Sequence, residues 1–317
     1  MDAPAPDAAD ATSGDAGASD AADATAAREA APDGAPVDSS LDRGAGDDAG
    51  LPLPSPLYGV TVDEVTELPE IVASLQALPR KPTTRIVFNL GVKPAYYAKA
   101  VAAIGAVSYV MGELVDSSAM KRLTVAQYTE RTSAYLSQFP AGVDLWEVGN
   151  EINGNWLGSS EAEIAAKMTG AFDLVKAAGG HTELTLYACT EDGKAYTMDD
   201  WVDTYVPQRM LTGLDYVLVS FYQGDCNATH IDWPVAFQHL RQRFPTAGLG
   251  FGEAGYVNEK GQDLALADEE AGAAYVRQTY GMSIPVAGYV GGYFWWYFRE
   301  DMVPSTQPLL GVLASTW

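Results

Sequence analysis

The sequence predicts a (β/α)8 barrel, an α/β fold in which eight parallel strands alternate with helices. Eight strand-like apolar runs follow one another between residues 57 and 297, separated by amphipathic helical patterns. The runs are continuously apolar instead of alternating, which is typical of parallel strands covered on both faces. Eight such units in about 250 residues is the usual size of this barrel. An open doubly wound sheet is the competing architecture, but no glycine-rich phosphate-binding sequence follows the first strand.

The predicted elements can be given in chain order. The strands are Leu57–Val62, Arg85–Leu90, Val107–Gly112, Asp144–Gly149, Leu184–Cys189, Tyr216–Tyr222, Leu249–Gly252 and Gly292–Tyr297. The helical patterns occupy Val65–Leu78, Ala95–Ile104, Ala119–Phe139, Glu161–Ala178, Pro234–Phe244 and Asp268–Met282. The eighth helix must be short, around Leu309–Ser315, because the chain ends at Trp317.

Residues 1–50 differ in composition from the rest of the chain. They contain 11 Asp, one Glu and two Arg, which gives a charge of -10, and they contain no aromatic residue. Such a segment buries too little apolar surface to offset its ordering entropy, so we expect a disordered acidic tail followed by one barrel domain over 51–317. One interpretation is a tether for an exported domain, secreted, periplasmic or lipid-anchored at the cell surface, whose signal sequence is not in this chain. The alternative is a solvated extension without a role.

The overall composition excludes several classes of function. The formal charge is -23, so a nucleic-acid partner or an anionic membrane surface is disfavoured by repulsion. No run reaches the length of a membrane span. Two cysteines and three histidines, none at metal-ligand spacing, predict no metal site and no cofactor. The two cysteines, Cys189 and Cys226, close strands five and six, which are neighbours in a barrel. We expect either a disulfide between them or two buried thiols.

The catalytic groups of such a barrel lie at the carboxyl ends of its strands. In this chain those positions hold carboxylates, amides and aromatic rings, and no His or Lys. This set is typical of sugar recognition, because carboxylates and amides bind hydroxyl groups while flat rings stack on pyranoses. The strand-end residues are Asp63, Asn89, Glu113, Asn150, Glu151, Thr190, Glu191, Tyr222, Glu253, Trp295 and Trp296.

Two of these carboxyl groups, Glu151 and Glu253, close strands four and seven, which face each other across the barrel mouth. Hydrolysis of a glycosidic bond needs one protonated carboxyl to assist the leaving oxygen and a second, ionised one. A separation of about 5 to 5.5 Å between them predicts retention of configuration, and roughly 6.5 to 9.5 Å predicts inversion.

The sequence resembles clan A of the retaining glycoside hydrolases, a TIM-barrel superfamily of cellulases, mannanases, galactanases and xylanases. The resemblance lies in Asn150-Glu151, Glu253 and the aromatic strand eight, Gly292–Trp296. It implies that Glu151 is the general acid/base and Glu253 the nucleophile. It also implies that Asn150 binds the sugar 2-hydroxyl.

Two further roles follow from the same resemblance. Tyr222 matches the tyrosine that donates a hydrogen bond to the nucleophile. Trp296 matches the strand-eight tryptophan that floors the subsite at the cleavage point, with Trp295 as the alternative register.

The sequence also departs from the clan pattern. Many members carry an Arg at the end of strand two and a His near strand three, where this chain has Asn89 and Glu113. Glu113 is expected either to bind a sugar hydroxyl, to tune a neighbouring pKa or to pair with a nearby base. Trp156 is expected either to stack on substrate or to pack within a loop. Glu147 is expected to point into the barrel in a structural role, where a carboxyl demands partners.

Together these observations predict a monomeric, cofactor-free enzyme that cleaves β-linked, uncharged oligo- or polysaccharides with retention. The alternative is a non-catalytic carbohydrate-binding or cell-surface protein on a degenerate barrel. A metal-dependent hydrolase is disfavoured by the scarcity of histidine.

Overall fold

A computed structural model describes residues 53–189, 195–222, 231–256 and 269–317. Within them, eight parallel strands close into a barrel in the order β1 to β8, which confirms the predicted (β/α)8 architecture. The tail predicted at 1–50 lies outside these residues, so the domain boundary stays a prediction. The strands are β1 Leu57–Val62, β2 Thr83–Val87, β3 Tyr109–Glu113, β4 Leu145–Glu147, β5 Thr182–Tyr187, β6 Tyr216–Phe221, β7 Gly248–Ala254 and β8 Tyr289–Trp295.

Helices between the strands cover the outside of the barrel. They are α1 Leu68–Ala77, α2 Ala98–Gly105, α3 Ser117–Met120, α4 Val125–Gln138, α5 Glu161–Ala177, α6 Met198–Tyr205, α7 Gln208–Leu211, α8 Trp233–Arg243, α9 Glu269–Tyr280, α10 Phe298–Met302 and α11 Pro308–Thr316, with a short 3-10 helix at Pro94–Tyr97. No helix in the described ranges is both long enough and apolar enough to cross a bilayer.

The inside of the barrel has an apolar layer and a polar layer. Alternate residues of a strand share a face, and on β6 Val217 and Val219 belong to the large cluster beneath the helices whereas Tyr216 and Leu218 belong to a second, smaller cluster. The smaller cluster comprises Leu57, Met111, Leu145, Tyr216, Leu218, Val290 and Phe294. The next inward positions, toward the carboxyl ends of the strands, are polar, and they form the floor of the site.

Several strands begin earlier or end sooner than the sequence pattern predicts. β2 starts at Thr83 instead of Arg85 and ends at Val87, so the prediction placed this strand too late. Thr83 and Thr84 are β-branched residues that suit a strand although they are not apolar. β8 likewise runs two to three residues earlier than predicted: it ends at Trp295, and the Trp296 N–H makes one more hydrogen bond, to the Ala254 carbonyl at 2.8 Å.

The helix predicted over Ala119–Phe139 is two helices, α3 and α4. The break follows from Thr124, whose side chain accepts a hydrogen bond from the Gln127 backbone N–H while the Gln127 side chain caps the Thr124 N–H. This reciprocal capping box starts a new helix. The short helices α6, α7 and α10 were not predicted, because their apolar periodicity extends over only one or two turns.

Candidate active site

Glu151 lies just beyond β4, at the mouth of the barrel. Its backbone has a φ of 51°, a left-handed conformation that a residue with a Cβ rarely adopts. The Ile152 N–H donates to the Thr185 carbonyl at 3.0 Å, which ties this turn to β5. Strain of this kind costs about 1 to 3 kcal/mol and persists where the surrounding structure enforces it. The turn therefore places the Glu151 side chain at the mouth at some cost to stability.

Two serine hydroxyls bind the carboxyl group of Glu151. Ser220, from β6, donates to Oε1 at 2.7 Å, and Ser117, the first residue of α3, donates to Oε2 at 2.7 Å. The carboxyl is 8% exposed, and no cation pairs with it among the described residues. Burial and the negative charge of Glu253 raise the pKa of Glu151 to about 8, although the two serine hydrogen bonds oppose that shift. At neutral pH Glu151 is therefore mainly protonated.

Glu253 lies on β7 beside Ser220, its register partner on β6. The hydroxyl of Tyr222 donates to Oε1 at 2.7 Å, and the Arg85 guanidinium forms an ion pair with Oε2. Burial and the charge of Glu253 raise the pKa of Tyr222 well above its usual value, so Tyr222 remains a neutral donor. The guanidinium can only donate and the Tyr222 hydroxyl donates to the other oxygen, so this pair of donors suits an ionised Glu253.

Arg85 is fully buried and contacts three carboxyl groups inside the barrel. In addition to Glu253, its Nε lies 3.5 Å from Glu113 Oε2 and its Nη1 lies 3.4 Å from Glu147 Oε1. Burial alone would lower the pKa of Arg85, but the charges of Glu253, Glu147 and Glu113 outweigh it and raise the pKa further. The guanidinium carbon lies 5.1 Å from the centre of the Trp296 ring, which covers it at the mouth.

The sequence comparison with clan A missed this arginine. The predicted strand two ends at Leu90 and the observed one at Val87, so the predicted strand-end position falls on Asn89. Arg85 is the β2 residue that reaches the strand-seven carboxylate. A charged residue inside a buried strand requires partners, and that signal was present in the run Thr83–Val87.

Asn150 and Glu113 form a second polar pair beside Glu151. Asn150 Nδ2 donates to Glu113 Oε1 at 3.3 Å, whereas its buried Oδ1 has no hydrogen-bond partner among the described residues. Glu113 is fully buried, and of its three expected roles the observed one is an ion pair with Arg85. Glu113 thus orients the Asn150 side chain from inside the barrel, and Asn150 Oδ1 is left as an unused acceptor.

The two adjacent tryptophans of strand eight occupy different environments. Trp295 is fully buried, and its indole N–H donates to Asp301 at 2.9 Å, so it is not available to a substrate. Trp296 is partly exposed at the mouth above Arg85. The preceding residues, Tyr293 and Phe294, have φ values of 75° and 36°, and this strained turn precedes the change in direction. The structure therefore favours Trp296 over Trp295.

Asn89 and Trp156 lie in loops around the mouth. The Asn89 side-chain amide donates to the Asp63 carbonyl and to Glu64 Oε1, both at 3.1 Å, so its two N–H groups join the loops after β1 and β2. Trp156 is partly exposed and packs edge-to-face on Tyr187 with ring centres 5.2 Å apart. Asn89 therefore joins two loops at the mouth, and both Asn89 and Trp156 stay candidate substrate-binding residues.

Other expectations concern cysteines and metals. Cys189 is buried after β5, but Cys226 lies outside the described residues, so a disulfide between them stays a prediction. Across the described part of the chain, no group of three or more His, Cys, Asp or Glu side chains could hold a metal ion.

Ser117, Ser220 and Thr185 were not singled out in the sequence. Their roles depend on which carboxyl group lies opposite, and single serine or threonine residues carry no motif that sequence reading could detect.

Comparison with known proteins identifies the fold. No protein-family model and no curated protein matches the chain. A GH128 (subgroup I) endo-β-1,3-glucanase from Amycolatopsis mediterranei in complex with laminaripentaose matches with a TM-score of 0.53 and 12% identity, over 82% of this chain and 98% of that one. Saccharomyces cerevisiae Gas2p in complex with laminaritriose and laminaritetraose matches with a TM-score of 0.51 and 13% identity.

The Gas2p match covers 82% of this chain but 63% of the Gas2p chain, so this chain spans less than two thirds of that protein. Identities this low establish the fold alone. The chain shares its (β/α)8 barrel with the GH128 endo-β-1,3-glucanase and with Gas2p.

Proposed function

We propose that the protein is a glycoside hydrolase that cleaves β-glycosidic bonds of a neutral oligo- or polysaccharide with retention of configuration. The observation that carries this proposal is the contrast between two carboxyl groups at one end of the barrel. Glu151 is buried without a cation and holds its proton, whereas Glu253 accepts hydrogen bonds from Arg85 and Tyr222. One group therefore suits proton donation and the other suits nucleophilic attack.

In the first step, a carboxylate oxygen of Glu253 forms a bond to the anomeric carbon while the bond from that carbon to the leaving oxygen breaks. Glu151 transfers its proton to the leaving oxygen, which departs as a hydroxyl group. The unused Oδ1 of Asn150 is an acceptor for the sugar 2-hydroxyl. Such a contact strengthens as positive charge develops on the ring.

In the second step, water replaces the departed group. Glu151, now ionised, takes one proton from the water while the water oxygen bonds to the anomeric carbon. The ester bond between that carbon and Glu253 breaks at the same time. Ser117 and Ser220 donate to the two oxygens of Glu151 and stabilise its ionised form at this stage. Arg85 and Tyr222 stabilise the carboxylate that Glu253 recovers.

The substrate is proposed to be uncharged. The chain is strongly acidic, with a formal charge of -23, so a uronate-rich glycan would be repelled. Trp296 is proposed to stack on the sugar at the cleavage point, and Trp156 on a neighbouring unit. Laminari-oligosaccharides, which are bound in the two structures of the same fold, should be screened first, beside manno-, xylo- and galacto-oligosaccharides.

We further propose that the enzyme acts as a monomer outside the cytoplasm, with residues 1–50 as a tether to the cell surface. The acidic, aromatic-free composition of this segment supports the proposal. Cell fractionation with N-terminal sequencing of the native protein tests it, and a cytosolic protein that starts at Met1 would contradict export.

The decisive experiment replaces the nucleophile. Glu253→Ala should lower turnover roughly 10⁴-fold or more on activated aryl β-glycosides. Azide should then restore part of the activity, because the small anion enters the space of the lost carboxylate. The product from a β-glycoside should be the α-glycosyl azide. The matched control is Glu70→Ala, which removes an exposed glutamate of α1.

Normal activity of Glu253→Ala would refute the assignment. Binding of glycans with no turnover by the wild-type protein would instead support a non-catalytic carbohydrate-binding protein.

A further inference from the structure

The barrel interior below the mouth contains more acidic groups than its single cation can balance. Arg85 contacts Glu113, Glu147 and Glu253, and all of these side chains are buried. Glu183 on β5 is also fully buried, and no ion pair involves it among the described residues. Four ionised carboxylates beside one guanidinium would bury three uncompensated charges, which is prohibitively costly. Some of these carboxyl groups must therefore keep a proton.

One hydroxyl group identifies where a proton lies. Thr185 Oγ1 is 2.7 Å from Glu147 Oε1 and 2.9 Å from Glu183 Oε1. A threonine hydroxyl has one proton, so it can donate to only one of the two carboxyl oxygens. The other contact is a hydrogen bond only if that carboxyl is protonated and donates to Thr185. At least one of Glu147 and Glu183 is therefore a neutral acid.

The position of Arg85 decides between the two. Glu147 lies 3.4 Å from Arg85 Nη1 and gains from being ionised, whereas Glu183 has no such contact. Burial and the charge of Glu147 raise the pKa of Glu183 well above its usual value. Burial also raises the pKa of Glu147, to about 7, although the charge of Arg85 opposes this. Since Arg85 favours the ionised form of Glu147 alone, the proton that the two Thr185 contacts require resides on Glu183.

We propose that Glu183 is a protonated carboxylic acid that fixes Arg85 against Glu253 through Thr185 and Glu147. The Glu183 hydroxyl donates to Thr185, and Thr185 donates to Glu147, which accepts from Arg85 Nη1. Nη2 of the same guanidinium then faces Glu253. Glu183 and Thr185 are thus positioning residues, and this role rests on the proposed function of Glu253 as nucleophile.

The backbone of Gly252, next to Glu253, packs closely against the Thr185 hydroxyl. A Cβ at Gly252 would lie 2.7 Å from Thr185 Oγ1 and 2.8 Å from Leu218 Cβ, both closer than real contacts allow. Gly252 therefore lets β7 approach Thr185, one residue before Glu253. Other ionisable groups that act on this chain of hydrogen bonds are Glu113 on β3, Tyr128 on α4 and Asp116, which precedes α3. Burial and the charge of Glu147 raise the pKa of Tyr128.

The proton on Glu183 can be tested without an activity assay. Infrared difference spectra of wild-type protein against Glu183→Gln, at about pH 8, should show the loss of a protonated carboxyl C=O band in the variant. Loss of a carboxylate band instead would overturn the proposal. Because glutamine is neutral and can donate to Thr185, this variant is expected to fold.

The positioning role needs a second pair of variants. Thr185→Val removes the hydroxyl at constant shape and should lower kcat about 10- to 100-fold with KM changed less than about twofold. Thr185→Ser keeps the hydroxyl and should retain most of kcat. NMR signals of the Arg85 guanidinium, assigned with Arg85→Lys, should broaden or shift in the valine variant only.

These measurements separate the two proposals. Equal kcat values and equal Arg85 signals in the valine and serine variants would overturn the positioning role. Should the wild-type protein hydrolyse no glycoside, the proposed function fails, while the infrared band and the Arg85 signals still decide whether the hydrogen-bond chain exists. Should Thr185→Val not fold, Glu183→Met, which removes the donor one step earlier, replaces it in the same comparison.

Discussion

Glu151 and Glu253 are identical side chains at the same end of one barrel, yet their surroundings differ. Glu151 contacts two serine hydroxyls and no cation, whereas Glu253 contacts an arginine and a tyrosine. Both are almost completely buried, so burial does not distinguish them. The two groups share their burial and differ in the cation: Arg85 pairs with Glu253, whereas Glu151 keeps the pKa that burial and the Glu253 charge have raised.

The largest expected effect comes from removing Arg85, the cation that pairs with Glu253 but not with Glu151. Arg85→Met should lower kcat/KM roughly 10³-fold or more and destabilise the fold by about 3 to 5 kcal/mol, because it leaves buried carboxyl groups without a partner. Kinetics and denaturant unfolding measure the two effects. Arg85→Lys should recover only part of each, since one ammonium cannot reach three carboxyl groups. Arg122→Met, an exposed site, is the control, and an active, stable Arg85→Met would break the comparison.

The second prediction concerns the proton donor. Glu151→Gln should lower kcat/KM on the order of 10³-fold for substrates with poor leaving groups. It should spare the first step for dinitrophenyl glycosides, whose leaving group needs no proton. A series of aryl glycosides of decreasing leaving-group pKa measures this. Equal losses across the series would mean that Glu151 is not the acid.

The two tryptophans of strand eight offer a smaller contrast. Trp296→Ala should raise KM or lower kcat/KM about tenfold, the size of a single aromatic stacking contact. Trp295→Phe should mainly lower thermal stability, since it leaves the buried Asp301 carboxyl without the indole donor. Kinetics and thermal unfolding of both variants test this, and the opposite pattern would restore Trp295 as the substrate-binding residue.

The smallest effect is a shift in pH dependence. Because Glu151 must be protonated for the first step, kcat/KM should fall as pH rises through its pKa of about 8. The serine hydrogen bonds favour the ionised form and lower this pKa, so Ser117→Ala or Ser220→Ala should move the basic limb to higher pH, by about one unit or less. Ser133→Ala on α4 is the control. A shift toward lower pH would contradict the assigned role of the serines.

Much of this site follows from position along the strands. The carboxyl groups of Glu151 and Glu253 come at the ends of predicted strands four and seven, and the closed order of strands places those ends at one mouth. The same logic led to Asn150 and Tyr222. It does not reach Arg85, because the predicted strand two ends at Leu90 and the observed one at Val87. The ends of a strand depend on its hydrogen bonds to both neighbouring strands, so the local composition predicts them poorly.

The sequence by itself determined the barrel, because continuous apolar runs separated by helical patterns leave few other ways to bury both faces of a sheet. It also determined which residue types meet at the mouth. The tertiary structure alone decided that Arg85 pairs with Glu253, that Ser117 and Ser220 bind Glu151, and that Trp296 instead of Trp295 lies above the site. These contacts join residues that are far apart in the sequence, and protonation depends on charges that the fold brings together across the barrel. No local pattern encodes either.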